Sequence, residues 1–404
     1  MIDPVRPLKI VLLMSSLQAG GSERVAVRVA EWLRDAGHDV SLLTLSDTAS
    51  DFYQTPTGVT RIGLDLRRPS RGPIDALRNS WRRIAGIRAA VKHAGADVVV
   101  AMVDQTNVLM LLALLGLRCR KIISERSDPA AEERSWIWRL LRRLTYPTAT
   151  LHISQSSHVS KWLRRRFPGL PDMIIGNTAG ELPASGAIRA VREDGAPLRL
   201  ITVARLSQEK GVDLLIDAFA AARERTPDIV LLVVGDGPQR ALLERQAEML
   251  GVGASVSFAG RLANVFEPLA ASDIFILPSR LEGFPNALVE ALMVGLPAIS
   301  AYCPGGIMDV LGPVPDRYAL QFPPGDVAAL AAAIVRLADS PALRQELSAA
   351  GHLRALDYGP DKISAAWRHA VGGGGAPISG DNPPGQHDAA SAQRPDAARR
   401  SLED

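Results

Sequence analysis

Short apolar runs alternate with amphipathic stretches along most of this chain, and the alternation resets once. In the first half the runs predict strands near 8–14, 39–45, 97–102, 120–124 and 149–153. Apolar positions at helical spacing between them predict helices near 22–36, 105–116, 131–145 and 155–166. Periodicity lapses over GNTAGELPASGAIRAVREDGAP (176–197), whose Gly, Ala and Pro read as a linker. The pattern then restarts. LRLITVARL and IVLLVVGDG read as buried strands, followed by VSFAG, DIFILPS and LPAIS, with helices at 211–224, 238–250, 285–294 and 326–338. Short strands alternating with helices indicate α/β parallel sheets. The expected architecture is two facing, doubly wound, Rossmann-like domains, over residues 1–176 and 198–358, joined by 177–197. Residues 372–404, polar and rich in Gly and Pro, read as a disordered tail.

Composition narrows the function classes. A length of 404 residues suits two or three domains. No run approaches the ~20 apolar residues of a membrane span, and the N-terminal run is too short for a signal peptide. Cys119 and Cys303 are the only cysteines, which excludes a disulfide framework and a cysteine-rich metal site. A cytoplasmic protein is expected. The net charge of +3 is mild, but arginine gathers with tryptophan and leucine at 67–93, 134–144 and 161–167. Such stretches on helices suit an interfacial surface facing anionic lipid; solvated helices with Trp packed inward are the alternative. In that surface Arg142, Arg143, Arg164, Arg165 and Arg166 would flank Trp136, Trp138 and Trp162. Nucleic acid is not expected as a partner, since no recognition module accompanies the basic stretches.

In doubly wound sheets ligands bind beyond the carboxyl ends of strands, so the informative loops are SSLQAGGSE (15–23), ARLSQEKG (204–211), GDGP (235–238) and PSRLEGFPN (278–286). Gly20 and Gly21 precede a helix, where backbone can approach an anion at the helix N-terminus; an ordinary turn is the alternative. Arg205 and Lys210 bracket RLSQEK and suit phosphate, although either could simply pair with Glu209. In SRLEGFPNALVEALMVGLP (279–297), seven residues separate Glu282 from Glu290. With Glu282 in a loop and a helix starting near Pro285, Asn286 and Glu290 share one face at i, i+4. A carboxylate on either side of an anion site could hold a phosphorylated, hydroxyl-rich molecule. The seven histidines show no zinc spacing, no D-x-D lies in a cleft loop, and no Walker or nucleophile-elbow motif occurs.

Together, GGSERV (20–25), ARLSQEKGVDLLIDAF (204–219), VVGDGPQR (233–240) and PSRLEGFPNALVEALMVGLPAIS (278–300) resemble glycosyltransferase family 4 over roughly residues 8–371. That resemblance implies the GT-B fold, with a last helix (359–371) crossing back to the first domain, and a retaining, metal-independent transferase without a cofactor. It implies that Arg205 and Lys210 clamp the donor diphosphate and that Glu282 lies near the donor sugar. Gly283, Phe284, Pro285 and Asn286 would meet sugar and phosphate through their backbone, Glu290 would bind ribose, and Gly20 and Gly21 would flank phosphates and acceptor. Glu282, Arg205 and Lys210 are thus the expected catalytic set. Where many relatives carry a histidine, this chain has ISERSDP (123–129). A similar S-E-R-x-D-P occurs in relatives that lengthen polyprenyl-diphosphate-linked oligosaccharides, making Arg126 and Asp128 expected acceptor contacts. The implied partners are a nucleotide-sugar donor (UDP-linked, with GDP-mannose as alternative), a polyprenyl-diphosphate-linked saccharide and the inner face of the cell membrane. A non-catalytic sugar-nucleotide binder and a non-hydrolysing epimerase are the rival readings.

Overall fold

The computed structural model describes residues 6–18, 20–69, 71–126, 135–178 and 195–373. The expected tail beyond 373, most of the linker and Asp128 lie outside the described residues. The first half runs β1 (Lys9–Met14), α1 (Gly21–Asp35), β2 (Asp39–Thr44), β3 (Thr60–Gly63), α2 (Pro73–Ala94), β4 (Val98–Met102) and α3 (Asp104–Ala113). It continues through β5 (Arg120–Glu125), α4 (Trp136–Thr145), β6 (Leu151–Ser154), α5 (Ser157–Arg166) and β7 (Asp172–Ile174). The second half runs β8 (Leu198–Val203), α6 (Val212–Arg223), β9 (Ile229–Val234), α7 (Arg240–Met249), β10 (Val256–Gly260), α8 (Phe266–Ala270) and β11 (Ile274–Leu277). It ends with α9 (Asn286–Met293), β12 (Ala298–Ala301), α10 (Ile307–Leu311), β13 (Leu320–Phe322), α11 (Val327–Asp339), α12 (Pro341–Ala355) and α13 (Pro360–Gly372).

Each half is one parallel sheet, ordered β3-β2-β1-β4-β5-β6-β7 and β10-β9-β8-β11-β12-β13. Both sheets are covered on two faces, which is why their strands read as unbroken apolar runs. Along β1, Ile10, Leu12 and Met14 enter one core while Val11 and Leu13 enter the other. The strand period of two places alternate residues on opposite faces. Trp367 of α13 is fully buried in the first domain's core, beside Ile363 and Val371. Arg120 of β5 donates to the carbonyls of Ala370 (3.1 Å) and Val371, fixing the end of that helix.

Several features depart from the sequence reading. The strands β3, β7 and β13, each at a sheet edge, are only three or four residues long, too short to stand out as apolar runs, and β3 has no buried residue. Helix α12 follows α11 almost without a break and was not anticipated. The expected basic surface is corrected in part: Trp136, Arg143, Arg164, Arg165 and Arg166 are exposed, but its other members are not. Trp138 and Trp162 pack against the first domain's core, and Arg142 is buried, paired with Asp104 at 3.0 Å beneath Trp162. The exposed face of α4 instead presents Trp136, Ile137, Leu140 and Leu144 between Arg139 and Arg143. No helix among the described residues is long and apolar enough to cross a membrane.

Candidate active site

After β8 the chain passes through Ala204–Ser207 and a single 3-10 turn, Gln208–Lys210, before α6. Gly211 makes this junction at φ +66, and a Cβ there would lie 2.1 Å from the Pro278 carbonyl oxygen. Only glycine lets the loop press against the one that follows β11. That approach brings Lys210 Nζ to 2.8 Å from Glu282 Oε1, where Ser279 Oγ also donates at 2.7 Å. Arg205, at the other end of the loop, is 67% exposed and binds Glu209 at 3.0 Å. The two cations therefore differ. Lys210 sits on the buried carboxylate, while Arg205 stands at the rim.

Glu282 is buried, and its backbone rests on Pro304-Gly305-Gly306, an element the sequence reading passed over. Gly305 has φ +120, and a Cβ there would fall 1.5 Å from the Glu282 carbonyl oxygen. Neighbouring Cys303 is buried, which pushes its thiol up to about 12, with the Glu282 carboxylate adding to the effect. It is an inert packing residue. Phe284 is also buried, its ring 5.5 Å from that of Tyr358. Pro285 occupies the N-cap position, so α9 begins one residue later than expected, at Asn286.

The first domain closes over this surface. A Cβ on Gly21, the first residue of α1, would lie 3.6 Å from Asn286 Nδ2. The N-termini of α1 and α9 thus meet across the cleft, and both attract negative charge. Arg24, one turn into α1, reaches Glu290 on α9 with Nη2 2.5 Å from Oε1. Burial pushes the Glu290 carboxyl above its usual range, and Arg24 opposes the rise. Asn177 donates to Asn286 Oδ1 at 3.0 Å and accepts from Arg126 Nη1 at 2.8 Å. The backbone N–H of Ser157 donates to Asp309 Oδ2 at 2.7 Å, completing the bridge.

Gly20, Gly21, Lys210, Glu282, Gly283, Phe284, Pro285, Asn286 and Glu290 thus gather around one cleft, with Arg205 at its edge. Arg126 lies at the domain junction, with Nη1 on Asn177 and its guanidinium 5.2 Å from the Trp367 ring centre. Burial lowers its pKa to about 10, so it stays cationic at neutral pH. Sequence reasoning missed Arg24, Asn177, Gly305, Gly306 and Asp309. Arg24 stands inside GGSERV, yet its partner is 266 residues away, and nothing local announces it. A buried carboxylate on each side of two converging helix N-termini can hold an anion that also offers hydroxyls. Among the described residues, no group of three or more His, Cys, Asp or Glu could hold a metal ion.

Residues 20–177 match the family model described as a glycosyl transferase 4-like domain, and residues 187–354 match the one described as glycosyl transferases group 1. The chain belongs to glycosyltransferase family 4. Its fold is GT-B, two parallel-sheet α/β domains around a cleft. This family 4 glycosyltransferase is 27% identical over 368 residues to an alpha-1,4-N-acetyl-D-galactosaminyltransferase of Campylobacter jejuni named for a diNAcBac-PP-undecaprenol-linked substrate. The match covers 89% of this chain and 97% of that one. An amylovoran biosynthesis glycosyltransferase of Erwinia amylovora is 23% identical, with 89% and 98% covered. Among solved structures, Anabaena HepE with UDP and glucose superposes with a TM-score of 0.73 at 20% identity, covering 90% of this chain and 99% of that one.

Proposed function

We propose that this glycosyltransferase moves a hexose or N-acetylhexosamine from a UDP-sugar to a lipid-linked saccharide, with retention and without a metal ion. The observation that carries the reading is the pair of converging helix N-termini with buried Glu282 and Glu290 on either side. The donor diphosphate would lie between the helix ends, with Lys210 and Arg205 supplying positive charge as the sugar–phosphate bond breaks. Glu282 would accept from hydroxyls of the transferred sugar, and Glu290 from the ribose. The departing phosphate would take the acceptor's proton on the face it leaves, so no protein nucleophile is needed. Arg126, and Asp128 beyond it, would bear on the acceptor. UDP in HepE and the PP-undecaprenol of the Campylobacter relative support the donor and acceptor classes.

The deciding experiment offers labelled UDP-sugars and GDP-mannose with a polyprenyl-diphosphate saccharide, in EDTA and with added Mg²⁺. Transfer from a UDP-sugar in EDTA, giving the donor's anomeric configuration by NMR, is the expected result. Transfer from GDP-mannose alone would replace the donor. An altered nucleotide sugar would indicate an epimerase, and no reaction a binding protein. Activity that only Mg²⁺ restores would overturn metal independence.

A lipid-linked acceptor places the enzyme peripherally on the inner face of the cell membrane in this reading. The exposed stripe of α4 supports it, since apolar side chains beside arginine suit an anionic interface. Arg139→Glu with Arg143→Glu should release the protein from vesicles of anionic phospholipid, each cation there contributing about 1 kcal/mol. Vesicle flotation checks this, and equal flotation of wild type and variant would show the stripe to be idle.

A further inference from the structure

Glu290 meets a cation from the opposite domain. The carboxylate is 4% exposed and Arg24 39% exposed. The backbone at Arg24 is fixed in the first turn of α1. Its backbone N–H donates to the Gly20 carbonyl at 3.2 Å, and Tyr53 Oη donates to that same oxygen at 3.1 Å. The ion pair runs through one guanidinium nitrogen and one carboxylate oxygen. An ionised carboxylate has about four lone-pair sites, so capacity for further donors remains. A protonated one would instead present a donor of its own.

We propose that Arg24 is a positioning residue for the donor nucleotide: from the first domain it holds Glu290 ionised and oriented, so that the carboxylate can accept both hydroxyls of a ribose. This rests on the donor reading above and adds a residue to it. A vicinal diol brings two O–H donors to one group, and only the ionised form accepts both without offering a competing proton. Because α1 and α9 belong to different domains, the ribose subsite is complete only when the cleft is closed.

The pair has a pH signature. Without Arg24, the buried carboxyl loses the charge that opposes its upward shift, so it stays protonated to higher pH. The deficit should therefore be largest in acid and shrink as pH rises. Among the described residues, few other groups bear on this carboxyl. Burial shifts the Tyr53 phenol upward, keeping it neutral, and Glu23 accepts from Ser22 Oγ at 2.8 Å. On α12, packed against α9, the His352 ring binds the Met293 carbonyl at 2.8 Å.

Calorimetric titration of the full chain with UDP, and GDP in parallel, tests the proposal at about pH 6 and about pH 8.5. Arg24→Ala should weaken UDP on the order of tenfold at the lower pH, the size expected for a charge-assisted contact, and by less at the higher. Arg24→Lys should recover part of the loss. Discrimination against 2′-deoxy-UDP should fall with it, and adding Arg24→Ala to Glu290→Gln should cost nothing more. Unchanged affinity in a folded Arg24→Ala protein would overturn the proposal. So would tighter binding, which would make Arg24 a competitor of the nucleotide, or a loss equal at both pH values and persisting beside Glu290→Gln. Wild type that binds neither nucleotide would remove the donor reading and this proposal with it.

Discussion

Lys210→Ala should lower kcat/KM by roughly tenfold to a hundredfold while the protein stays folded. Its ammonium lies 2.8 Å from Glu282 at the mouth of the cleft, and its side chain is 24% exposed. A charge-assisted hydrogen bond contributes about 1.5–3 kcal/mol, which sets the range. The fold itself should tolerate the change, because Ser279 still donates to Glu282 and the loop is fixed by Gly211 rather than by the lysine. In the proposed reaction the ammonium faces charge that grows as the diphosphate departs, so the loss should fall on kcat as well as on KM. Steady-state kinetics with circular dichroism of the variant is the check. A folded variant with wild-type kcat/KM would remove Lys210 from the site.

Gly305→Ala should be more damaging and for a different reason. The added Cβ would land 1.5 Å from the Glu282 carbonyl oxygen at a φ of +120, which L-residues seldom adopt. The strain at such positions costs on the order of 1–3 kcal/mol, and the collision must also push the Glu282 loop aside. A displacement of about 1 Å at a positioned group is enough for a hundredfold loss of rate. Gly325→Ala is the control, since φ there is +86 with nothing within 4 Å of the added methyl. Both variants should melt below wild type, but only Gly305→Ala should lose activity. Comparable activity in the two would show that the loop beneath Glu282 does not hold it in place.

Most of the fold was legible because both sheets are buried on two faces. Strands such as β1 and β4 show uninterrupted apolar runs, and the loops after them announce themselves by position. β3, β7 and β13 escaped because each is only three or four residues long, whereas the five-residue edge strand β10 was read. Helix α4 misled for a physical reason: both its faces carry apolar residues beside arginine. Periodicity alone could not say whether Trp136 or Trp138 turns inward; Asp104 on α3 decides by pairing with Arg142. At the site, the residues that follow strands in the second domain were legible from local motifs. Arg24, Asn177 and Asp309 were not, since each takes its meaning from a partner across the cleft.

The burial of Trp367 among the strands of the first domain reaches beyond packing. The chain leaves the first domain after Gly176 and returns to it after Tyr358. These two points lie side by side, because a Cβ on Gly176 would sit 2.9 Å from the Phe284 ring and 3.2 Å from that of Tyr358. Two adjacent ties between the lobes would favour opening and shutting of the cleft over a twist of one lobe on the other. They also mean that the first lobe is not a continuous piece of sequence. Cut off after residue 178, it would bare the apolar trough that Ile363, Trp367 and Val371 now fill, and it would stand as a lobe only with 360–372 supplied back to it.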